Sequence, residues 1–399
     1  MKPLAITGLG TVSPVALDHE GFLAALRDPE AARARAFGGP CAALPADKLP
    51  GARAAEVRGF DANAFLGDKG HRNFDKLTKY LIVAAKQALE SAGLKRGGQF
   101  VSALGPDQIG ICSSTAYGSL DSITELNLVA ELEDPRYINP ARFPNTVINA
   151  AAGYVSIWED LRAPNVTIVD GNCGALDAVL TCETHLAHRR ADAFLVGGGD
   201  VLSEPLYVAM QKLGALAEGD DEWAPGQAES AGLHLGEGVA YLCVERLRGA
   251  EARGAPVRAL LAGYGTAFEP PTEGAFLLNA SPVAVARAIR LALDDAGIAP
   301  SRVDAVCASC SGLSKWDVAE LYAIEQVLGT EVAVAAPKAI WGESFAGAGA
   351  LGMAAAVAWI EGVTPAPLLS GHAKESTDVV VVTTVGYYGN VSAVVVKRP

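Results

Sequence analysis

The sequence predicts an α/β protein made of two similar halves, with buried sheets under helical cover. Strand-like runs of β-branched and apolar residues alternate with helix-periodic segments along the whole chain. The order of these elements recurs in the second half, although little sequence identity accompanies it. A chain of 399 residues is long enough for a large core and suits two packed units better than one.

Residues 3–7 read as a first strand, followed by the turn-rich Gly8-Leu9-Gly10. Residues 17–30 suggest a helix, and a Gly- and Pro-containing loop runs to about residue 70. Residues 75–92 are helical, because Leu77, Tyr80, Leu81, Ala84 and Ala88 fall near a 3.6-residue period. A strand over 108–113 leads through a bend at 114–118 into another helix. Residues 146–161 hold a closely packed helix, 165–169 a strand and 174–188 a helix. A strand over 193–196 ends at Gly197-Gly198-Gly199-Asp200.

The second half reads as strand 257–262, helix 281–296, strand 305–308, helix 317–328 and strand 332–335. An Ala- and Gly-rich helix over 345–360 and strands over 379–384 and 391–396 complete it. A boundary at Arg248-Gly249-Ala250 places residues 1–250 in one half and 251–399 in the other.

Composition narrows the function. Half the residues are hydrophobic and 19% are charged, as in an ordinary globular chain. A net charge of −13 disfavours nucleic acid and anionic lipid as partners. The cations in 186–190 read as a helix end rather than a docking patch. The first residues, MKPLAITGLGTVSP, lack the apolar core of a secretory signal, and later apolar runs break before membrane-spanning length. A soluble cytoplasmic protein without a membrane partner is expected. The cysteines are Cys41, Cys112, Cys173, Cys182, Cys243, Cys307 and Cys310. Only Cys307 and Cys310 have metal-like spacing and no second CxxC follows, so buried free thiols and no metal are expected.

The most informative segment runs Thr167-Ile168-Val169-Asp170-Gly171-Asn172-Cys173-Gly174-Ala175-Leu176-Asp177-Ala178. A β-branched strand enters a bend and then a helix, so Cys173 falls near a helix N-terminus. Unpaired N–H groups there favour a thiolate, which can attack a thioester, and the cysteine's own N–H can serve an oxyanion hole. The alternative is a buried cysteine filling space beside Gly171 and Gly174.

The chain resembles the β-ketoacyl synthase family of the thiolase superfamily along nearly its whole length. The likeness rests on residues 6–14 (ITGLGTVSP), the helix at 74–89 and Asn149-Ala150-Ala151-Ala152-Gly153. It continues through Gly197-Gly198-Gly199-Asp200, Gly236-Glu237-Gly238, the Lys338 loop and Gly386-Tyr387-Tyr388-Gly389-Asn390. The resemblance implies a thiolase-like fold with two pseudo-equivalent halves in layered α-β-α-β-α architecture. Condensing members of the family use a cysteine and two histidines. The cysteine falls on Cys173, the first histidine on Ser309, the second on Glu343, and the gating phenylalanine on Val385. Asp317 and Glu320 keep a familiar acidic spacing. None of the six histidines takes a matching position, and His234 reads as structural.

These substitutions bear on decarboxylative condensation, in which the histidines stabilise negative charge on a thioester oxygen. Ser309 can donate one hydrogen bond, whereas an ionised Glu343 repels an enolate and donates only if protonated. Pairing with Lys338 would instead keep Glu343 charged, and the sequence does not decide between the two states. Three readings follow: a chain-length-factor-like partner of an active ketosynthase, an acyltransferase or atypical condensing enzyme working through Cys173, and a noncatalytic interaction protein. No bound cofactor is expected, with acyl-CoA or a phosphopantetheine-linked acyl carrier protein as the substrate. Expected partners are an acyl carrier protein and a second subunit, in a homodimer or a heterodimer with a ketosynthase-like chain. Residues 145–158 and 165–169 are the candidate interface. Val385, Gly386, Tyr387 and Tyr388 are expected to shape a substrate pocket.

Overall fold

The computed structural model describes residues 2–217, 223–270 and 280–399. The first half contributes β1 (Leu4–Val12), β2 (Ile109–Ser114), β3 (Asn165–Ile168), β4 (Ala193–Asp200) and β5 (Gly238–Arg246). The second contributes β6 (Ala259–Phe268), β7 (Ala305–Cys307), β8 (Ala333–Ala335), β9 (Leu368–Ser370), β10 (Val379–Val385) and β11 (Asn390–Lys397). In space they run β9-β8-β7-β10-β11-β6-β1-β5-β4-β2-β3, with β1 and β6 pairing antiparallel at the junction of the halves.

The two halves repeat one pattern. β1 pairs antiparallel with β5, β5 antiparallel with β4, and β4 and β3 both flank β2 in parallel. β6, β11, β10, β7 and β8 repeat those directions in the same order. The antiparallel edge strand β9 has no counterpart and was not foreseen from the sequence.

Helix α1 (Lys76–Ser91) covers β1 and β5 from outside. α2 (Gly174–Ala187) and α5 (Ala346–Ile360) pack on one another between the sheet halves. α3 (Pro282–Ala296) covers β6 and β11, with α4 (Ser314–Leu328) beside it. This is the layered, thiolase-like α/β arrangement expected. Every residue of α5 is buried, which an Ala- and Gly-rich helix permits in a central layer. The outer helices start where their caps dictate. The Asp75 carboxylate accepts from the Thr78 N–H, and the Ser281 hydroxyl oxygen from the Ala284 N–H.

Gly8-Leu9-Gly10 is not a turn; it lies inside β1. A Cβ on Gly8 would sit 2.2 Å from the Ala88 carbonyl oxygen, and one on Gly10 2.0 Å from that of Ala84. Gly263 and Gly265 on β6 repeat this against Ala292 and Ala288 of α3, at 2.2 and 2.3 Å. In both halves the glycines let a helix backbone press directly on a strand. The strand expected to end at Val196 likewise continues to Asp200, because Gly197 meets the Ala240 carbonyl across the sheet.

Candidate active site

β3 leads to a tight turn at Gly171–Cys173, and α2 starts at the next residue. Gly171 makes the bend with φ of +53°, a conformation that costs other residues more. Gly174 has no room for a side chain, since a Cβ would lie 2.1 Å from Ser114 Oγ. Cys173 is thereby fully buried at the start of α2. Its thiol faces the carbonyls of Thr384 at 3.5 Å and Asn390 at 3.6 Å.

Two expectations for Cys173 are corrected. Burial, reinforced by the nearby Asp177 carboxylate, pushes the thiol well above its ordinary range, so the helix terminus does not hold a resting thiolate. Its N–H donates to the Asp170 carbonyl at 3.1 Å within the tight turn, so it is not a free oxyanion-hole donor.

Ser309, Lys338 and Glu343 do meet. Ser309 follows β7, Lys338 opens the short helix Lys338–Trp341, and Glu343 lies just past it. Gly342 turns the chain with φ of +79°, and a Cβ there would meet the Leu235 carbonyl oxygen at 2.8 Å. Lys338 Nζ lies 2.7 Å from Glu343 Oε2 and 3.2 Å from Ser309 Oγ. The Phe345 N–H donates to Glu343 Oε1 at 2.7 Å, and Asn172 Nδ2 reaches Oε2 at 3.4 Å. Among the described residues, the Glu343 oxygens are met by the Lys338 ammonium, the Asn172 amide and the Phe345 N–H. Asn172 thus connects the cysteine turn to the ion pair.

The acidic spacing after Ser309 has a structural role. Glu320 accepts from the Ser309 N–H at 2.8 Å and from Thr383 Oγ1 at 2.6 Å. Asp317 accepts from the N–H groups of Ser311, Gly312 and Gly226. Asp200, singled out only as part of a motif, takes the N–H groups of Ala116, Tyr117 and Ala346 and the Thr115 hydroxyl. It thereby ties the end of β4 to the start of α5. Burial raises its acid to about 6, against the lowering effect of those bonds.

A cavity of about 10 Å³ adjoins the cluster, lined by Ser309, Lys338, Trp341, Val382, Thr383 and Thr384 among others. That is room for roughly one water, not an acyl chain. Val385 is the last residue of β10 rather than part of the loop, and its N–H donates to Ser309 Oγ at 3.2 Å. Gly386 closes the hairpin with an N–H bond to the Asn390 carbonyl. Tyr387 packs on Trp316 and Phe345, while Tyr388 is exposed, so neither lines this cavity. No histidine lines it either. His234 stacks on Trp223, and its backbone carbonyl accepts the Glu343 N–H at 2.9 Å. Among the described residues no cluster of metal-ligating side chains is present, and no helix is long and apolar enough to cross a membrane.

Asp177, on α2, also stands beside Cys173 and was not among the residues expected there. Its only local signal was an acid one turn after Cys173 on an otherwise apolar stretch. It accepts hydroxyl hydrogen bonds from Tyr264 and Ser392, both at 2.6 Å.

The β-ketoacyl synthase N-terminal domain model matches residues 1–250, and the C-terminal domain model matches residues 259–372. The 3-oxoacyl-[acyl-carrier-protein] synthase 2 of Coxiella burnetii is 31% identical over 389 residues, spanning 92% of this chain and 88% of that protein. Among solved structures, the ishigamide ketosynthase/chain length factor superposes with a TM-score of 0.88 at 24% identity, covering 100% of this chain and 99% of that one. A type II polyketide synthase acyl carrier protein in complex with its ketosynthase, bound to the hexaketide, gives 0.83 at 23% identity, with 100% of both chains covered.

Proposed function

The chain belongs to the β-ketoacyl synthase family, and from that premise we propose that it is an atypical member, of polyketide or fatty-acid-type biosynthesis, acting as a chain-length-factor-like partner of an active ketosynthase. The carrying observation is the buried Lys338–Glu343 pair, at 2.7 Å, where a condensing enzyme places a histidine. Decarboxylation builds negative charge on a thioester oxygen. A carboxylate at that position opposes the charge, and each lost donor costs about 2.7–4 kcal/mol.

The surface supports a partner. β3 is an edge of the sheet, and Ile157, Val169 and Leu180 nearby are exposed apolar residues. A second subunit adding to this edge would cover both the unpaired backbone and the apolar side chains. The ketosynthase/chain length factor and the acyl carrier protein–ketosynthase complex among the structural matches indicate the kinds of partner to test. The test is co-expression with the cognate ketosynthase, followed by mass measurement of the assembly and a carbon dioxide assay with malonyl carrier protein. A one-to-one complex whose decarboxylation requires the other subunit is expected. A homodimer that releases carbon dioxide unaided would sink this reading.

A second reading has its own support: Cys173 is retained, with a hydroxyl and a carboxyl beside it. Here Cys173 accepts an acyl group from acyl-CoA or an acyl carrier protein, with Ser309 orienting the thioester. Intact mass after incubation with acyl thioesters, repeated with Cys173→Ala, tests it: an acyl adduct lost in the variant is expected. The absence of an adduct in wild type would remove it.

A further inference from the structure

Polar side chains from separate elements converge on Cys173, apart from the Lys338–Glu343 pair. Ser392 on β11 is fully buried and lies beside Cys173, where its hydroxyl favours the ionised sulfur, while the resting thiol faces the Thr384 and Asn390 carbonyls. The same hydroxyl lies 2.6 Å from Asp177 Oδ1, and Tyr264 on β6 donates to that oxygen at 2.6 Å. Asp177 in turn hydrogen-bonds Asp170, which is exposed. Thiol, hydroxyl and two carboxyls are thus placed in series from Cys173 toward solvent, with the Ser392–Asp177 hydrogen bond at the centre.

The buried thiol needs such a series. Burial holds it protonated, so attack on an electrophile requires a base as the bond forms. The Thr384 and Asn390 carbonyls beside the sulfur accept hydrogen bonds but do not take protons. The ionisable groups facing Asp177 are Cys173, Asp170 and Tyr264. Burial and the bond to Asp170 raise the Asp177 acid to about 7, while Ser392 and Tyr264 pull it down. The carboxyl therefore exchanges its proton near neutrality.

We propose that Ser392 and Asp177 form a proton outlet that lets Cys173 act as a nucleophile toward an acyl thioester. The inference goes beyond the partner-subunit reading and rests on the acyl-transfer reading. The thiol proton passes to Ser392 Oγ as the Ser392 proton passes to Asp177. The sulfur lone pair forms a bond to the thioester carbon, and the original carbon–sulfur bond breaks. The departing thiolate takes a proton from water, and Asp177 returns its own to solvent through Asp170. Ser392 and Asp177 are positioning residues, because they act through the cysteine.

The experiment follows Cys173 in the full chain by peptide-resolved mass spectrometry. Iodoacetamide is the first probe and an acyl-N-acetylcysteamine thioester the second, each across pH 5 to 9 (roughly the range in which such a relay titrates). Wild-type alkylation should rise through an inflection near 7. Asp177→Asn and Ser392→Ala should lose that inflection and slow alkylation by about 10²-fold at high pH. Tyr264→Phe keeps the relay but removes a bond to the charged form, so it should move the inflection upward. This third variant keeps the test decisive if the first two misfold. Unchanged profiles in the variants, or an unreactive wild-type Cys173, would overturn the relay. Relay-dependent alkylation without thioester acylation would instead leave the relay standing and remove the acyl-transfer reading.

Discussion

Lys338 Nζ lies 2.7 Å from Glu343 Oε2, and both side chains are buried. The ammonium is taken up in balancing the carboxylate beside it. It also holds Ser309, whose Oγ is 3.2 Å away. Ser309, Lys338 and Glu343 are therefore best treated as one unit.

Removing one partner of the pair should be costly. Lys338→Met leaves a buried carboxylate without its cation and should lower stability by about 3–5 kcal/mol in urea unfolding. Adding Glu343→Leu to that variant should recover most of the loss. A single variant as stable as wild type would show that the pair contributes nothing to the fold.

The pH dependence of stability has opposing contributions. Asp177 titrates at about 7 when folded against 3.8 ordinarily, mainly through burial. Its contribution is full below the ordinary value and is lost as pH rises through 7. His234 has the opposite sign: burial, then Arg53 and Arg33, lower it from 6.5 to about 4. Its contribution is full above 6.5 and is lost as pH falls through 4. Thermal unfolding should accordingly show Asp177→Asn gaining on wild type as pH rises from 4 to 7. His234→Gln should gain as pH falls from 6.5 to 4.

The helix-on-strand contacts make a paired prediction across the internal repeat. Gly8→Ala and Gly265→Ala each drive a methyl group into a helix carbonyl, at 2.2 and 2.3 Å. Each should lose about 1–3 kcal/mol or more in urea unfolding. Gly105→Ala meets open space at φ of −101° and should stay within about 0.5 kcal/mol of wild type. Equal stability in all three variants would contradict the close packing.

The β3 edge predicts an assembly defect without a folding defect. Ile157 and Val169 are 76% and 52% exposed, so Ile157→Lys or Val169→Lys should fold normally. Light scattering should show either variant weakening association with the second subunit. Unaltered assembly in both would move the interface elsewhere.

Legibility followed the range of the interactions. The helix expected over 75–92 is observed as Lys76–Ser91, because its apolar period and its Asp75 cap are both local. Cys173 was placed at a strand–helix junction for the same reason. Gly8 and Gly10 were misread, because a glycine that makes a turn and one that admits a neighbouring helix look alike in a chain. The donors around Cys173 were misjudged because burial and a carbonyl in its own turn decide their state.

By itself the sequence determined the element order, the repeated α/β design and the candidate set Cys173, Ser309, Lys338 and Glu343. The element order depends on local period and caps, and Cys173 on its strand–helix junction, whereas Ser309, Lys338 and Glu343 follow from the resemblance to the β-ketoacyl synthase family. The tertiary structure alone decided that Lys338 neutralises Glu343, that the cysteine rests as a thiol, and that Asp177 stands behind it. Asp177 meets Tyr264 and Ser392 across 87 and 215 residues of chain. Contacts at that separation depend on how the sheet halves close around the central helices, and no local pattern encodes them.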